Sequence, residues 1–176
     1  ALTTPDSFFE DRLQFLEDGT YSDLASEEDA REAATALRTG PLELVTVNGA
    51  QERNGLSWDV ETVGKMHDDD FKIISTAVSV RGSNHAFVWD RPACTDPAVR
   101  QPLTELIADP DLTFVEQGSY DENAALCYFK TGIGGQRRDT RLLRKALDSD
   151  VKKADLGTLS ELVGAGGYKD EFDVEK

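Results

Sequence analysis

The chain has 176 residues, with 34 acidic against 19 basic side chains and a formal net charge of −15. Its length fits one domain with an N-terminal extension. The acidity excludes a broad nucleic-acid-coating surface, which has to be basic, but not a metal-dependent site whose bound cations reverse the local field. Two cysteines and two histidines make neither a disulfide framework nor a histidine-built zinc site. A metal site here has to be made of carboxylates, the ligands of hard cations such as Mg²⁺ and Mn²⁺. No apolar run approaches membrane-spanning length, and the N-terminus lacks a charged-then-apolar signal pattern, so a soluble, cytoplasmic protein is expected.

Residues 1–42 read as a helical N-terminal extension. "TTPDSFFEDRLQFLEDG" places Phe8, Phe9, Leu13, Phe15 and Leu16 at roughly helical spacing before Gly19. "SEEDAREAATALRTG" opens on Ser26, carries acids in its first turn and ends at Gly40. From residue 43 the pattern changes. "LELVTV" is a strand candidate and "NGAQERNG" a polar turn region. "LSWDVET", "FKIISTAVSV" and "HAFVWD" follow as three apolar, β-branched runs joined by short turns, which predicts an antiparallel meander. Then the rhythm alternates. "DPAVRQPLTELIAD" is a helix with Asp96 as its cap, and "LTFVEQ" a short strand. "DENAALCYFKTG" is a helix closed by Gly132, "TRLLRKALDSD" another opened by Asp139 or Thr140, and "LGTLSELVGAGG" a last short one. The expected class is α/β: a mixed sheet with helices on both faces.

Within "LSWDVET", alternation puts Asp59 and Glu61 on one face and Trp58 and Val60 on the other. At about 3.3 Å rise per residue, the two acids lie roughly 6–7 Å apart at Cα. Carboxylates so spaced can share one cation or hold two. A solvated edge strand is the competing reading, and "DVE" recurs at 173–175 without an apolar run around it.

Four stretches, in order, carry a family resemblance. "LSWDVET" with its two following strands resembles the first motif of DEDD-type 3′–5′ exonucleases, whose fold is RNase H-like. "LTFVEQGSYDENAAL" resembles the second, with Asp121 at the aspartate, Tyr120 at the aromatic before it, and Gln117 where the family has asparagine. "FKTGIGGQRRDTRLLRKAL" and "ADLGTLSELVGAGGYKDEF" resemble the following segments of proofreading domains in phage-type family-A DNA polymerases. The match runs from about residue 56 to 172. It implies an RNase H-like mixed sheet, a three-strand antiparallel meander plus parallel strands, within an exonuclease-like domain over 43–176.

The resemblance also implies two Mg²⁺ or Mn²⁺ ions held by Asp59, Glu61, Asp121 and one further aspartate. Asp59 would bridge the ions, Glu61 would bind one or orient the attacking water, and Asp121 would bind the second. The further aspartate, in a Tyr-x-x-x-Asp helix, has no counterpart after Asp139, where Tyr168 and Asp173 are one residue too far apart. It is expected beyond Lys176, in the rest of a longer chain or in a second polypeptide. The implied activity is removal of nucleotides from single-stranded DNA 3′ ends, as proofreading linked to a DNA polymerase, with degradation of RNA as a close variant. The alternative is a non-catalytic RNase H-like docking module of a replication or viral assembly. Gln117 is either a substrate contact or a strand-end polar residue, and Tyr120 either stacks on a terminal base or packs. "RRDTRLLRK", with Arg138 and Arg141, either contacts a nucleic-acid backbone or is a solvated, acid-paired helix face. Asp139 and Thr140 read as helix-capping residues.

Overall fold

A computed structural model describes residues 19–39, 45–47, 50–52, 55–80, 83–147 and 158–159. The first predicted helix and the "GYKD" stretch lie outside these residues, as does the last predicted helix apart from 158–159. In chain order the elements are β1 (Thr20–Asp23), α1 (Glu27–Thr39), β2 (Val45–Val47), β3 (Ala50–Glu52), β4 (Leu56–Val63), β5 (Lys72–Val80) and β6 (His85–Trp89). There follow α2 (Arg91–Thr95), α3 (Pro97–Ile107), β7 (Thr113–Glu116), α4 (Tyr120–Tyr128), β8 (Gln136–Asp139) and α5 (Thr140–Leu147). The chain divides into two compact units, one of Thr20–Asp139 and one of Ala1–Gly19 with Thr140–Lys176.

The first unit is built on a six-stranded sheet in the order β1-β6-β5-β4-β7-β8. β4, β5 and β6 pair antiparallel as the predicted meander. β7 joins β4 in parallel and β8 joins β7 in parallel. The helix-bearing connection from β6 to β7 is what parallel pairing beside β4 requires. β2 and β3 form a separate two-stranded ribbon.

Alternation places the sheet's core face. Leu56, Trp58 and Val60 of β4 are buried while Ser57, Asp59 and Glu61 are exposed. Trp58 meets Phe114 of β7 edge-on, with ring centroids 5.4 Å apart. On β5 the buried phase runs Val80, Val78, Thr76 and then slips to Ile73. The slip is a bulge: Glu61 pairs with Ser75 and Thr62 with Ile73, so Ile74 has no opposite number. It falls on β5, across from Glu61 and Thr62 of β4.

Residues 20–39, within the stretch read as a helical extension over 1–42, belong to this unit and include the expected helix as α1. Thr20–Asp23 is an edge strand parallel to β6. Four alternating polar residues, "TYSD", give no apolar signal, and the strand is held instead by its partner. His85 of β6 bonds Thr20 Oγ1 at 2.8 Å and Ser22 Oγ at 3.1 Å. α1 has the predicted cap: Ser26 Oγ accepts from the Asp29 N–H at 3.1 Å, and Asp29 Oδ2 accepts from the Ser26 N–H at 3.1 Å. Its Ala30, Ala33, Ala34 and Leu37 are buried, and α1 packs on α3. Arg38 at its end pairs with Asp109 beyond α3 at 3.0 Å. Asp96 caps α3 as expected, accepting from the Ala98 N–H at 2.9 Å. α2, a single turn capped by Asp90, was not legible in "RPACT".

α4 ends at Tyr128, short of the expected stop at Gly132. Lys130 takes a left-handed φ of 59° just beyond it, with its ammonium on the Cys127 carbonyl at 2.6 Å. The glycines of "GIGG" serve close packing. A Cβ on Gly134 would lie 1.9 Å from the Ala108 carbonyl oxygen, and the Gly134 N–H donates to the Ile107 carbonyl at 2.9 Å. The two cysteines behave as small apolar groups: buried Cys94 donates to the Trp89 carbonyl at 3.2 Å, and burial pushes its thiol up to about 12.

Candidate active site

β7 pairs with β4 only through Leu56↔Phe114 and Ser57↔Val115. It then stops at Glu116 and the chain turns through Gln117, Gly118 and Ser119 into α4. Gly118 makes the turn at φ +81°, a backbone conformation that costs glycine little. Its N–H donates to Asp139 Oδ1 at 3.0 Å, across from the end of β8. Asp139 therefore ties down this loop, a role beyond the helix cap read from the sequence. α4 starts without a side-chain cap, since Ser119 makes no capping hydrogen bond.

The first three residues of α4 reach three different places. Tyr120, 47% exposed, hydrogen-bonds Thr62 Oγ1 of β4 at 2.5 Å. Asp121, 5% exposed, sits against β4 beyond the end of β7, where the Val60 backbone N–H donates to it. Its carboxyl is pushed up to about 7, first by burial, then by the charges of Asp59 and Glu116, and least by Glu61; the Val60 hydrogen bond opposes the shift. Glu122 pairs with Arg137 of β8 through a short contact. The same guanidinium reaches Glu116 Oε1 with its Nε at 3.1 Å.

Asp59, Glu61 and Asp121 are thus brought into one electrostatic neighbourhood from two distant stretches of sequence. Opposite Asp59 and Glu61 on β5 stand Ala77 and Ser75, small side chains that leave their face open. The donor set fits a hard divalent cation chemically: all three candidates are carboxylates, and a cation would relieve the repulsion that adds to burial in raising Asp121. In spacing the set is open. Among the described residues, no three Asp, Glu, His or Cys side chains stand close enough to share one ion.

The remaining predicted residues are spread out. Gln117 is half-buried in the turn before α4. Arg138 lies on β8, in register with Val115 and two strands from β4. Arg141 is exposed on α5, in the second unit. Arg137 and Arg138 belong to a strand, so the basic run is not one continuous helix face.

Glu116 is the acid that the sequence reading passed over. It is 2% exposed, and burial pushes its carboxyl up to about 7 against the opposing pull of Arg137 and the Glu122 backbone N–H. Its signal was present: Glu116 is two residues from fully buried Phe114, on the core phase of β7.

No protein-family model and no curated protein matches the sequence. Solved structures do match the fold. RNase D of Trypanosoma brucei in complex with U12 RNA superposes over 93% of this chain and 53% of that one, with 14% identity and a TM-score of 0.69. The chain has an RNase H-like fold, a six-stranded mixed sheet with helices. Escherichia coli RNase D, an exoribonuclease involved in structured RNA processing, matches 88% of this chain and 36% of its own, with 16% identity and a TM-score of 0.64. Mg²⁺-bound NrnC of Brucella melitensis matches 89% and 66%, with 18% identity and a TM-score of 0.54. At these identities the likeness is one of fold, and each of the three continues well beyond the shared part. None of these three is a polymerase domain, so the polymerase-like part of the sequence resemblance rests on sequence alone. Among the described residues no helix is long and apolar enough to cross a membrane.

Proposed function

We propose that the chain carries a divalent-metal-dependent 3′–5′ exonuclease site formed by Asp59, Glu61 and Asp121. The observation that carries this reading is the burial of Asp121 against β4 within the field of Asp59 and Glu61. An arrangement that crowds carboxylates is unfavourable unless a cation joins them. The RNase H-like fold and the Mg²⁺ in the NrnC structure support the reading.

Bound Mg²⁺ or Mn²⁺ would supply a nucleophilic hydroxide and offset charge developing on the phosphate and the leaving 3′ oxygen. The protein's part is to hold three oxygen donors. Asp59 and Glu61 lie on the exposed face of β4, and Asp121 is buried beside Val60 on the same strand. The half-exposed Tyr120 ring, oriented through its Thr62 hydrogen bond, offers a face for the terminal base. Gln117 and Arg138 would meet the sugar–phosphate backbone.

We favour single-stranded RNA as substrate, because RNase D is captured on U12 RNA and NrnC on pGG. A DNA 3′ end held for a linked polymerase is the competing reading, favoured by "FKTGIGGQRRDTRLLRKAL". Labelled single strands of each kind, incubated with Mn²⁺, Mg²⁺ or EDTA, test both. Stepwise 3′ shortening that EDTA abolishes is expected, faster on RNA. Faster shortening of DNA would shift the substrate to proofreading. Failure of the full-length protein to shorten either strand in either metal would leave a non-catalytic RNase H-like module.

A further inference from the structure

Asp121 sits on a helix that its own sequence holds poorly. α4 has nine residues and no side-chain cap, and it follows a glycine turn. A helix this short is marginal by itself. A rotation of one residue, about 100°, would carry Asp121 off β4 altogether.

Successive residues of a helix point about 100° apart and do not share a face. Contacts from residues 120 and 121 to β4 and from residue 122 to β8 therefore fix rotation as well as position. Tyr120 is tied to Thr62 on β4. Glu122 is tied to Arg137 on β8, and Arg137 is itself anchored by Glu116 at the end of β7. The Glu116 side chain is fully buried, while Arg137 is 35% exposed. The guanidinium thus spans from a buried anchor to a helix at the surface. Its planar fork lets one side chain serve two carboxylates, which a lysine's point charge does not reproduce.

We propose that Glu116, Arg137 and Glu122 form a clamp that sets the rotation of α4 and so positions Asp121 for metal binding. The clamp residues act through Asp121, so they are positioning residues. The inference rests on the exonuclease reading for its purpose but not for its geometry.

Two variants test it without uncovering the buried acid. Glu122→Ala cuts the helix arm and leaves the Arg137–Glu116 pair. Arg137→Lys keeps a positive charge by Glu116 and loses the fork. Three measurements are made on the full chain: melting temperature in EDTA, Mn²⁺ affinity by titration with EPR detection, and hydrogen exchange of the Asn123 amide, which bonds the Ser119 carbonyl in the first turn of α4. Both variants should melt within a few degrees of wild type. Mn²⁺ binding should weaken by about tenfold or more, the size of effect seen when groups orienting metal ligands are lost. Asn123 should exchange about tenfold faster while Val78, in the central strand β5, stays unchanged. Glu122→Gln, which can still accept a hydrogen bond from Arg137, should recover part of both effects.

Either measurement held at the wild-type value in both variants overturns the clamp, as does faster exchange spread equally over Val78. Wild-type protein that binds no Mn²⁺ at all would defeat the exonuclease reading instead. Asn123 exchange then decides the clamp alone: faster supports it and unchanged overturns it.

Discussion

Two groups of carboxylates lie close together at one end of the sheet, and the chain treats them differently. Glu116 and Glu122 share Arg137, a cation supplied by the neighbouring strand. The neighbours that raise Asp121 are carboxylates: Asp59, Glu116 and Glu61. Both Glu116 and Asp121 are buried, and both carboxyls are pushed up to about 7. The acids that serve the fold are thus neutralised from within. Asp59 and Glu61 on β4 and Asp121 on α4 are acids whose charge a cation from solution would balance, and in the proposed clamp the first group holds the helix that carries Asp121.

The largest expected effect tests the β4 group. Asp59→Asn keeps the shape and removes the charge. If the site works through bound metal, the rate of 3′ shortening should fall by about 10³-fold, the equivalent of several kcal/mol of transition-state stabilisation. A loss under about tenfold would place Asp59 outside the site. Arg137→Ala tests the other group. It strands Glu116, and denaturant unfolding at pH 8 should show a loss of about 2 kcal/mol. That is less than the ~3–5 kcal/mol for breaking a fully buried pair, because Arg137 is 35% exposed. No loss of stability would mean that Glu116 does not depend on Arg137.

Raising the pH should separate the groups. Glu116 and Asp121 have folded-state values of about 7, against roughly 4 for carboxyls in the unfolded chain. Between those values the folded state binds more protons. Their contribution to stability is therefore full below about pH 4 and lost as the pH rises through 7. In EDTA the melting temperature should fall from pH 5 to pH 8. Saturating Mn²⁺ should flatten the Asp121 share, and Glu116→Gln should remove the other. A slope in EDTA that neither treatment changes would contradict both assignments. The smallest effect belongs to the Tyr120 latch: Thr62→Val should cost about 1 kcal/mol, one net hydrogen bond, measured by thermal unfolding. A cost of zero would make the 2.5 Å contact incidental.

The central sheet was legible because its physics is local. Alternation in "LSWDVET" sets which residues face the core, and β-branched runs with short turns set the meander. Asp96 and Ser26 declare their helices by capping. β1 escaped notice because "TYSD" has no apolar phase of its own and is held by His85, 65 residues from Thr20. The bulge at Ile74 escaped because register is a property of the strand pair. In the site, Asp59 and Glu61 could be paired from spacing, whereas Asp121 needed a family pattern, because only the parallel crossover to β7 and α4 brings it to β4. Glu116 carried a sign, an acid on a buried phase, but its partner lies 21 residues further on, in a basic run that reads equally well as solvated surface.

The proposed function requires that Asp59, Glu61 and Asp121 hold metal. Crystals of the protein soaked in Mn²⁺ and measured for anomalous scattering test this without any substrate. A peak is expected between Asp59 and Asp121, with carboxylate oxygens about 2.1 Å from the ion and Glu61 at or next to it. Manganese peaks elsewhere, or none, with Asp121 still held against Val60 and Asp59 still facing solvent, would contradict it.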